Sequence, residues 1–188
     1  MTHVILFHHA QGLTDGVEEF AQRLRDAGHE VVVPDLYEGR TFDTLDAGVA
    51  NAEAIGFETI IERGEQAADA LPADTVYAGF SLGTLPAQKL AQSRAGALGA
   101  LLFHGGLPAA TFGSEWPQDA PLQMHITEGD EWVELAEVEE LAGDAGHAEL
   151  FIYPGSAHLV ADSTLDEYDE ELAELIIERS IRFLDRLG

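Results

Sequence analysis

Six short apolar runs recur along the chain, and stretches with helical spacing fill most of the intervals between them. Val4 to Phe7, Val31-Val32-Val33, Val76-Tyr77-Ala78, Ala100 to Phe103, Leu122 to Thr127 and Leu150 to Tyr153 are nearly unbroken in hydrophobicity. Such continuity suits strands buried on both faces of a parallel sheet. Between them, Val17, Phe20, Ala21 and Leu24 mark one face of a helix that Asp15 can cap and Gly28 can stop. Phe57, Ile60, Ile61, Ala67, Ala68 and Leu71 mark a second helix, ended by Pro72; a third runs from Leu82 towards Gln92. Trp132, Val133, Leu135, Ala136 and Val138 suggest a fourth, and Leu172, Leu175, Ile176, Phe183 and Leu187 a C-terminal helix from about Asp166. The alanine-rich stretch 41–56 shows no assignable pattern. Alternation of strand and helix predicts right-handed βαβ units, hence an α/β three-layer sandwich: six strands, mostly parallel, with helices on both faces. No repeat or linker interrupts it, so residues 1–188 read as a single domain.

Composition narrows the function classes. There is no cysteine, so disulfides, thiolate metal sites and a thiol nucleophile are excluded. Asp and Glu number 35 against 9 Lys and Arg, a formal net charge of −26, and Lys89 is the sole lysine. A nucleic-acid partner needs clustered basic residues and is not expected. Disorder is not expected either, because 46% of the residues are hydrophobic and fall in periodic segments. The pattern is that of a folded domain with an acidic surface, as halophiles use to stay soluble in concentrated salt, with an ordinary acidic protein as the alternative. Met1-Thr2-His3 leads straight into the first apolar run without a leader pattern, and no run is long enough to span a bilayer. A cytoplasmic protein without membrane partners is expected.

The chemistry centres on Gly79-Phe80-Ser81-Leu82-Gly83, a G-x-S-x-G between a strand and a helix. A serine at such a corner sits on a tight turn with its hydroxyl exposed above the sheet edge, and the flanking glycines let the backbone double back. A phosphate-binding loop would need spacings this chain lacks. Serine requires a base, because its hydroxyl is a poor nucleophile until its proton is removed. Ligands of an open parallel sheet bind at the carboxyl ends of its strands, which sorts the eight histidines. His3, His29 and His147 fall at strand starts, and His125 falls inside a strand as a core residue. His8, His9, His104 and His158 fall at strand ends, and His158, in the loop after the sixth strand, is the expected base. The carboxylate that fixes its tautomer is expected to be Asp130, with Glu128 as rival; an aspartate at 130 could instead cap a helix. The backbone N–H groups of Leu82 and Ala10 are the expected oxyanion donors. A metal site on His8, His9 and His104 is disfavoured, since adjacent histidines diverge and no acidic ligand joins them. His9, Tyr37, Glu38, Arg40, His104, Trp116 and Trp132 are candidate pocket residues, although each could equally serve packing or lie on the surface.

The order Ser81, Asp130, His158 matches the order of nucleophile, acid and base in α/β-hydrolases. With Pro34-Asp35-Leu36-Tyr37, Gly129-Asp130 and Tyr153-Pro154-Gly155-Ser156-Ala157-His158, the chain resembles the dienelactone hydrolase family over nearly its whole length. The resemblance implies an α/β-hydrolase-like fold and a small, cofactor-free hydrolase of esters or lactones. It also implies differences. The chain starts at what resembles the family's third strand, so six strands are expected; Ser81 stands where dienelactone hydrolases proper use cysteine. The carboxylate their first-strand loop carries is replaced here by His8, His9 and Gln11. A non-catalytic binding module on the same fold, a thioesterase and a peptidase are the alternatives. Nothing in the sequence specifies an oligomeric state.

Overall fold

The computed structural model describes all 188 residues. In chain order the elements are β1 (His3–Phe7), α1 (Asp15–Asp26), β2 (Glu30–Val32), α2 (Leu45–Ile55), α3 (Phe57–Ala68), β3 (Thr75–Phe80), α4 (Thr84–Ser93), β4 (Gly99–Phe103), β5 (Leu122–Thr127), α5 (Leu135–Asp144), β6 (Glu149–Tyr153) and α6 (Glu170–Asp185). The strands form one six-stranded sheet in the order β2-β1-β3-β4-β5-β6, and every neighbouring pair is parallel. The expected sheet is therefore found, wholly rather than mostly parallel.

Period-two alternation divides the strand side chains between two cores. Ile5, Phe7, Tyr77, Leu102 and Met124 pack with Ala52 of α2, Ile60 of α3, Leu90 of α4 and Leu141 of α5. Val4, Leu6, Val76, Ala78, Leu101 and Phe103 pack with Phe20 and Leu24 of α1 and with Ile176 and Phe183 of α6. Because both faces are covered, the central strands carry no outward polar face, which is why they read as unbroken apolar runs.

Several boundaries differ from the sequence reading. The alanine-rich stretch contains α2, which Thr44 caps by accepting a hydrogen bond from Ala47 N–H. It was not legible because only Gly48 and Ala52 of this helix are buried, too few to show a period. Helix α4 begins at Thr84 rather than Leu82, since Ser81–Gly83 forms a 3-10 turn. Trp132 and Val133 precede α5 instead of belonging to it. Helix α6 starts at Glu170, where Asp169 accepts from Leu172 N–H.

Candidate active site

The glycines of the pentapeptide are explained by two close approaches. A Cβ on Gly79 would lie 2.1 Å from the carbonyl oxygen of Gly83, and one on Gly83 would lie 2.4 Å from that of Phe7. The chain can thus reverse directly from β3 into α4 while the turn presses on the end of β1. Ser81 occupies the left-handed region at φ 49°, the strained conformation that lifts its side chain off the sheet edge. It stays partly exposed, whereas Leu82 and Gly83 are buried.

His158 Nε2 lies 2.7 Å from Ser81 Oγ, and His158 Nδ1 lies 2.6 Å from Asp130 Oδ2. Both His158 and Asp130 are buried. The carboxylate can only accept, so Nδ1 carries the proton and Nε2 is free to accept from the serine hydroxyl. The other oxygen of Asp130, Oδ1, accepts from Trp132 N–H at 2.9 Å, so the aspartate also organises the turn that follows it. Glu128, two residues earlier, points to solvent. The backbone of the base is fixed by Glu167, whose Oε2 accepts from the N–H groups of His158 and Leu159.

Ala10 is buried in the turn after β1, and Leu82 is the second residue of the 3-10 turn, where the first N–H groups have no acceptor within the helix. Both flank the Ser81 corner, because that corner packs on the end of β1.

The other strand-end histidines do not converge on one point. His8 accepts from Leu36 N–H through Nε2, and burial drives its pKa down to about 4. His9 Nε2 lies 2.7 Å from Asp162 Oδ2. His104, at φ 56°, is fully buried with neither ring nitrogen partnered in the protein; its ring meets that of His158 edge-on at 5.9 Å. Burial holds its pKa well below the usual range, so it stays neutral. His125 is the core residue expected: it joins Tyr153 Oη and Gln123 Oε1, and burial drives its pKa to about 3. No group of three or more His, Asp or Glu side chains is arranged to hold a metal ion.

Four of the pocket candidates are engaged in contacts of their own. Tyr37 is wholly buried, donating from its hydroxyl to Gly48 O and packing edge-on to His8. Trp116 is also buried, its Nε1–H donating to Ala120 O. Glu38 pairs with Arg63 and Arg40 with Asn51, both on the surface beyond β2. Aromatic rings at these loops fill space under the backbone, and the charges find partners in solvent-exposed loops. Trp132 does border the site: it is half exposed, with its ring 6.3 Å from that of His158.

Sequence reasoning missed Asp162. It is buried four residues beyond His158, in a segment without hydrophobic period. Besides His9 it accepts from Thr14 Oγ1, Thr164 N and Thr164 Oγ1. Only spacing from the base could have hinted at it.

The principal cavities lie away from Ser81. The most apolar, of about 820 Å³, is a groove lined by Phe57 and Ile61 of α3, Leu85 and Lys89 of α4, and Leu107 and Phe112 after β4. Leu85, in the first turn of α4, follows Ser81 by four residues, about one helical turn along the chain.

Comparison with known proteins agrees with this architecture. The chain is similar to a dienelactone hydrolase-like promiscuous phosphotriesterase from metagenomic libraries, with a TM-score of 0.80, 19% identity, and coverage of 100% of this chain and 87% of that one. It is similar to a hydrolase of the α/β superfamily from Xanthomonas campestris pv. campestris, with a TM-score of 0.69, 17% identity, and both chains covered in full at 100%. A cold-adapted esterase from an Arctic intertidal metagenomic library gives 0.65 at 18% identity, covering 99% of this chain and 82% of that one. At such identities the likeness establishes the fold. No curated protein matches the sequence. The sequence model of the dienelactone hydrolase family matches residues 1–188, and the chain belongs to that family of hydrolases.

Proposed function

We propose that this hydrolase is a serine esterase or lactonase acting on small carboxylic esters through an acyl-enzyme. The observation that carries the reading is the unbroken relay from Asp130 through His158 to Ser81, at 2.6 and 2.7 Å. His158 Nε2 takes the proton of Ser81 as Oγ attacks the carbonyl carbon, and Asp130 stabilises the imidazolium. The N–H groups of Ala10 and Leu82 receive the oxyanion. The tetrahedral intermediate collapses as His158 gives its proton to the leaving alkoxide. Water, deprotonated by the same imidazole, then releases the acid and restores Ser81. No step calls on a cofactor.

The groove lined by Leu85 is a site for an apolar acyl or alkyl chain, and Trp132, its ring 6.3 Å from that of His158, borders the triad. The acidic surface fits work in concentrated salt in the cytoplasm, and it repels nucleic acid. Labelling with a fluorophosphonate, followed by peptide mapping and an ester-hydrolysis screen at high salt, tests the reading. Modification at Ser81 with ester turnover is expected. A chain that neither labels nor hydrolyses any ester is a binding module instead.

A further inference from the structure

The relay does not use the second buried histidine–carboxylate pair at the same sheet edge. His9 and Asp162 are both buried, and their contact spans 153 residues of sequence. It joins the turn after β1, which holds Ala10, to the loop after β6, which holds His158.

The chemistry of this pair is over-determined. Gln11 N–H lies 3.2 Å from His9 Nδ1 and can only donate, so Nδ1 must accept and Nε2 must carry the proton given to Asp162. Asp162 Oδ2 accepts from His9 and from Thr14, and Oδ1 accepts from the N–H and the hydroxyl of Thr164. Thr14 itself accepts from Val17 N–H through the same oxygen, which leaves its proton for the carboxylate. Four donors converge on two oxygens, an arrangement only an ionised carboxylate satisfies. Burial alone would raise the Asp162 pKa, but the bonds from His9, Thr14 and Thr164 prevail and hold it at about 2.

The turn is pinned on its other sides as well. Gly12 N–H donates to His9 O, and Gln11 exchanges hydrogen bonds with Phe42 through its backbone carbonyl and its side-chain amide. Helix α2 lies so close that a Cβ on Gly48 would be 2.1 Å from Ala10 O. Of these clamps, the bonds of His9 and Thr14 to Asp162 are the ones that reach the loop carrying the base, and His9 is the neighbour of Ala10.

We infer that His9 and Asp162 are positioning residues that lock the Ala10 N–H in register with His158, so that oxyanion donor and general base are held by one carboxylate. The inference rests on the serine-hydrolase reading. It places neither residue in contact with substrate. Their effect is on the transition state, because the ground-state carbonyl makes weaker demands on donor position than the oxyanion does.

The experiment compares wild type with Asp162→Asn, His9→Asn and His9→Gln. Active sites are counted by fluorophosphonate titration, and kcat, KM and the Ki of a trifluoromethyl ketone are measured on the counted sites. Asn in place of Asp162 sets an amide N–H against one pair of donors. At position 9, Asn reproduces the Nδ1 acceptor without reaching Asp162, whereas Gln reaches Asp162 as Nε2 does. Asp162→Asn and His9→Asn are expected to lose roughly 10- to 100-fold in kcat with KM little changed. The ketone Ki should rise by the same factor, and His9→Gln should recover most of the loss. A purely structural role would lower the count of active sites and leave the Ki of the remainder unchanged, which would overturn the inference. So would wild-type kcat in His9→Asn, a variant that decides the matter even where Asp162→Asn does not fold. If wild-type protein neither labels nor turns over ester, the hydrolase reading fails first; if it does both and the variants equal it, only the positioning role fails.

Discussion

The two ends of the same sheet bury polar groups to unequal extents. At the carboxyl edge, His8, His9, His104, His158, Asp130 and Asp162 are all buried. The three non-glycine residues at positive φ, Glu38, Ser81 and His104, follow β2, β3 and β4 there. At the amino edge, His3 forms a part-exposed pair with Glu30 and His147 faces solvent; His29, before β2, is the one buried histidine there, and no non-glycine residue is strained. Burying polar groups and holding left-handed backbone both cost free energy. That most of this cost, and all of the left-handed backbone outside glycine, falls on one edge is what a site there would require, independent of any motif.

The largest expected effect breaks the carboxyl edge at its acid. Asp130→Asn should leave the fold intact and lower kcat by up to ~10⁴-fold, because the amide can hold His158 in the wrong tautomer. Glu128→Gln, at an exposed side chain two residues away, should change kcat less than about twofold. Steady-state kinetics and melting curves of both variants check this. A dead Glu128→Gln would move the acid; an unfolded Asp130→Asn would make Asp130 chiefly an organiser of the turn at Trp132.

Acid should weaken the carboxyl edge and its neighbouring core next. His8 and His125 have folded pKa values of about 4 and about 3, below the ordinary 6.5. The unfolded chain therefore takes up protons below pH 6.5 that the folded chain refuses. Their stabilisation is complete above 6.5 and declines as pH falls towards 4, at roughly 1.4 kcal/mol per pH unit for each group. Asp162, lowered from 3.8 to about 2, adds little above about pH 5 and joins the decline only as pH falls into the unfolded carboxylate's range. Protonation of the many surface carboxylates opposes the trend at low salt. The melting temperature should therefore be followed in molar KCl, where it is expected to fall steadily between about pH 6.5 and 4.5. A flat profile would mean that these imidazoles are already charged in the folded protein.

These edges were unequally legible in the sequence. Ser81, His158 and the strand ends could be read because a short turn motif and apolar continuity are local signals. Asp130 could be narrowed only to itself or Glu128, since a glycine between them lets either face the base. Asp162 and its link to His9 were invisible, because a contact across 153 residues leaves no periodicity. Tyr37 and Trp116 could be read as pocket or as core for a related reason: an aromatic residue in a loop sequence carries no mark of which way it points. Helix α2 was missed because its buried stripe is only two residues wide.

Salt should act on the rest of the surface rather than on either edge. Of the 9 basic side chains, Arg23, Arg25, Arg63, Arg182 and Arg186 pair with acids. Arg94 is spent on the carbonyls of Ala68 and Leu71, and Arg179 on Tyr153 and the face of Phe151. Most of the 35 acids are left to repel one another. Raising KCl from dilute buffer to molar shortens the screening length to ~3 Å and should raise the melting temperature. Indifference to salt would show that the acidic surface carries no net strain.

The smallest effect belongs to the amino edge and serves as the control. His3 Nδ1 meets Glu30 Oε2 at 3.0 Å, with both side chains partly in solvent. Such a pair gains little, because water screens it and two side chains must be ordered to form it. His3→Gln keeps a polar side chain at the first position of β1 and leaves the backbone ladder to β2 and β3 untouched. A change within about 0.5 kcal/mol, or roughly 2 °C in melting temperature, is expected, with kcat unaltered. The informative comparison is with His9→Asn, which replaces a histidine of the same strand-and-turn segment six residues later. If the two variants lost kcat alike, the damage would travel through β1 as a whole, and the distinction between the edges would collapse. If only His9→Asn lost it, the polar groups buried at the carboxyl edge would be tied to the reaction and not merely to the fold.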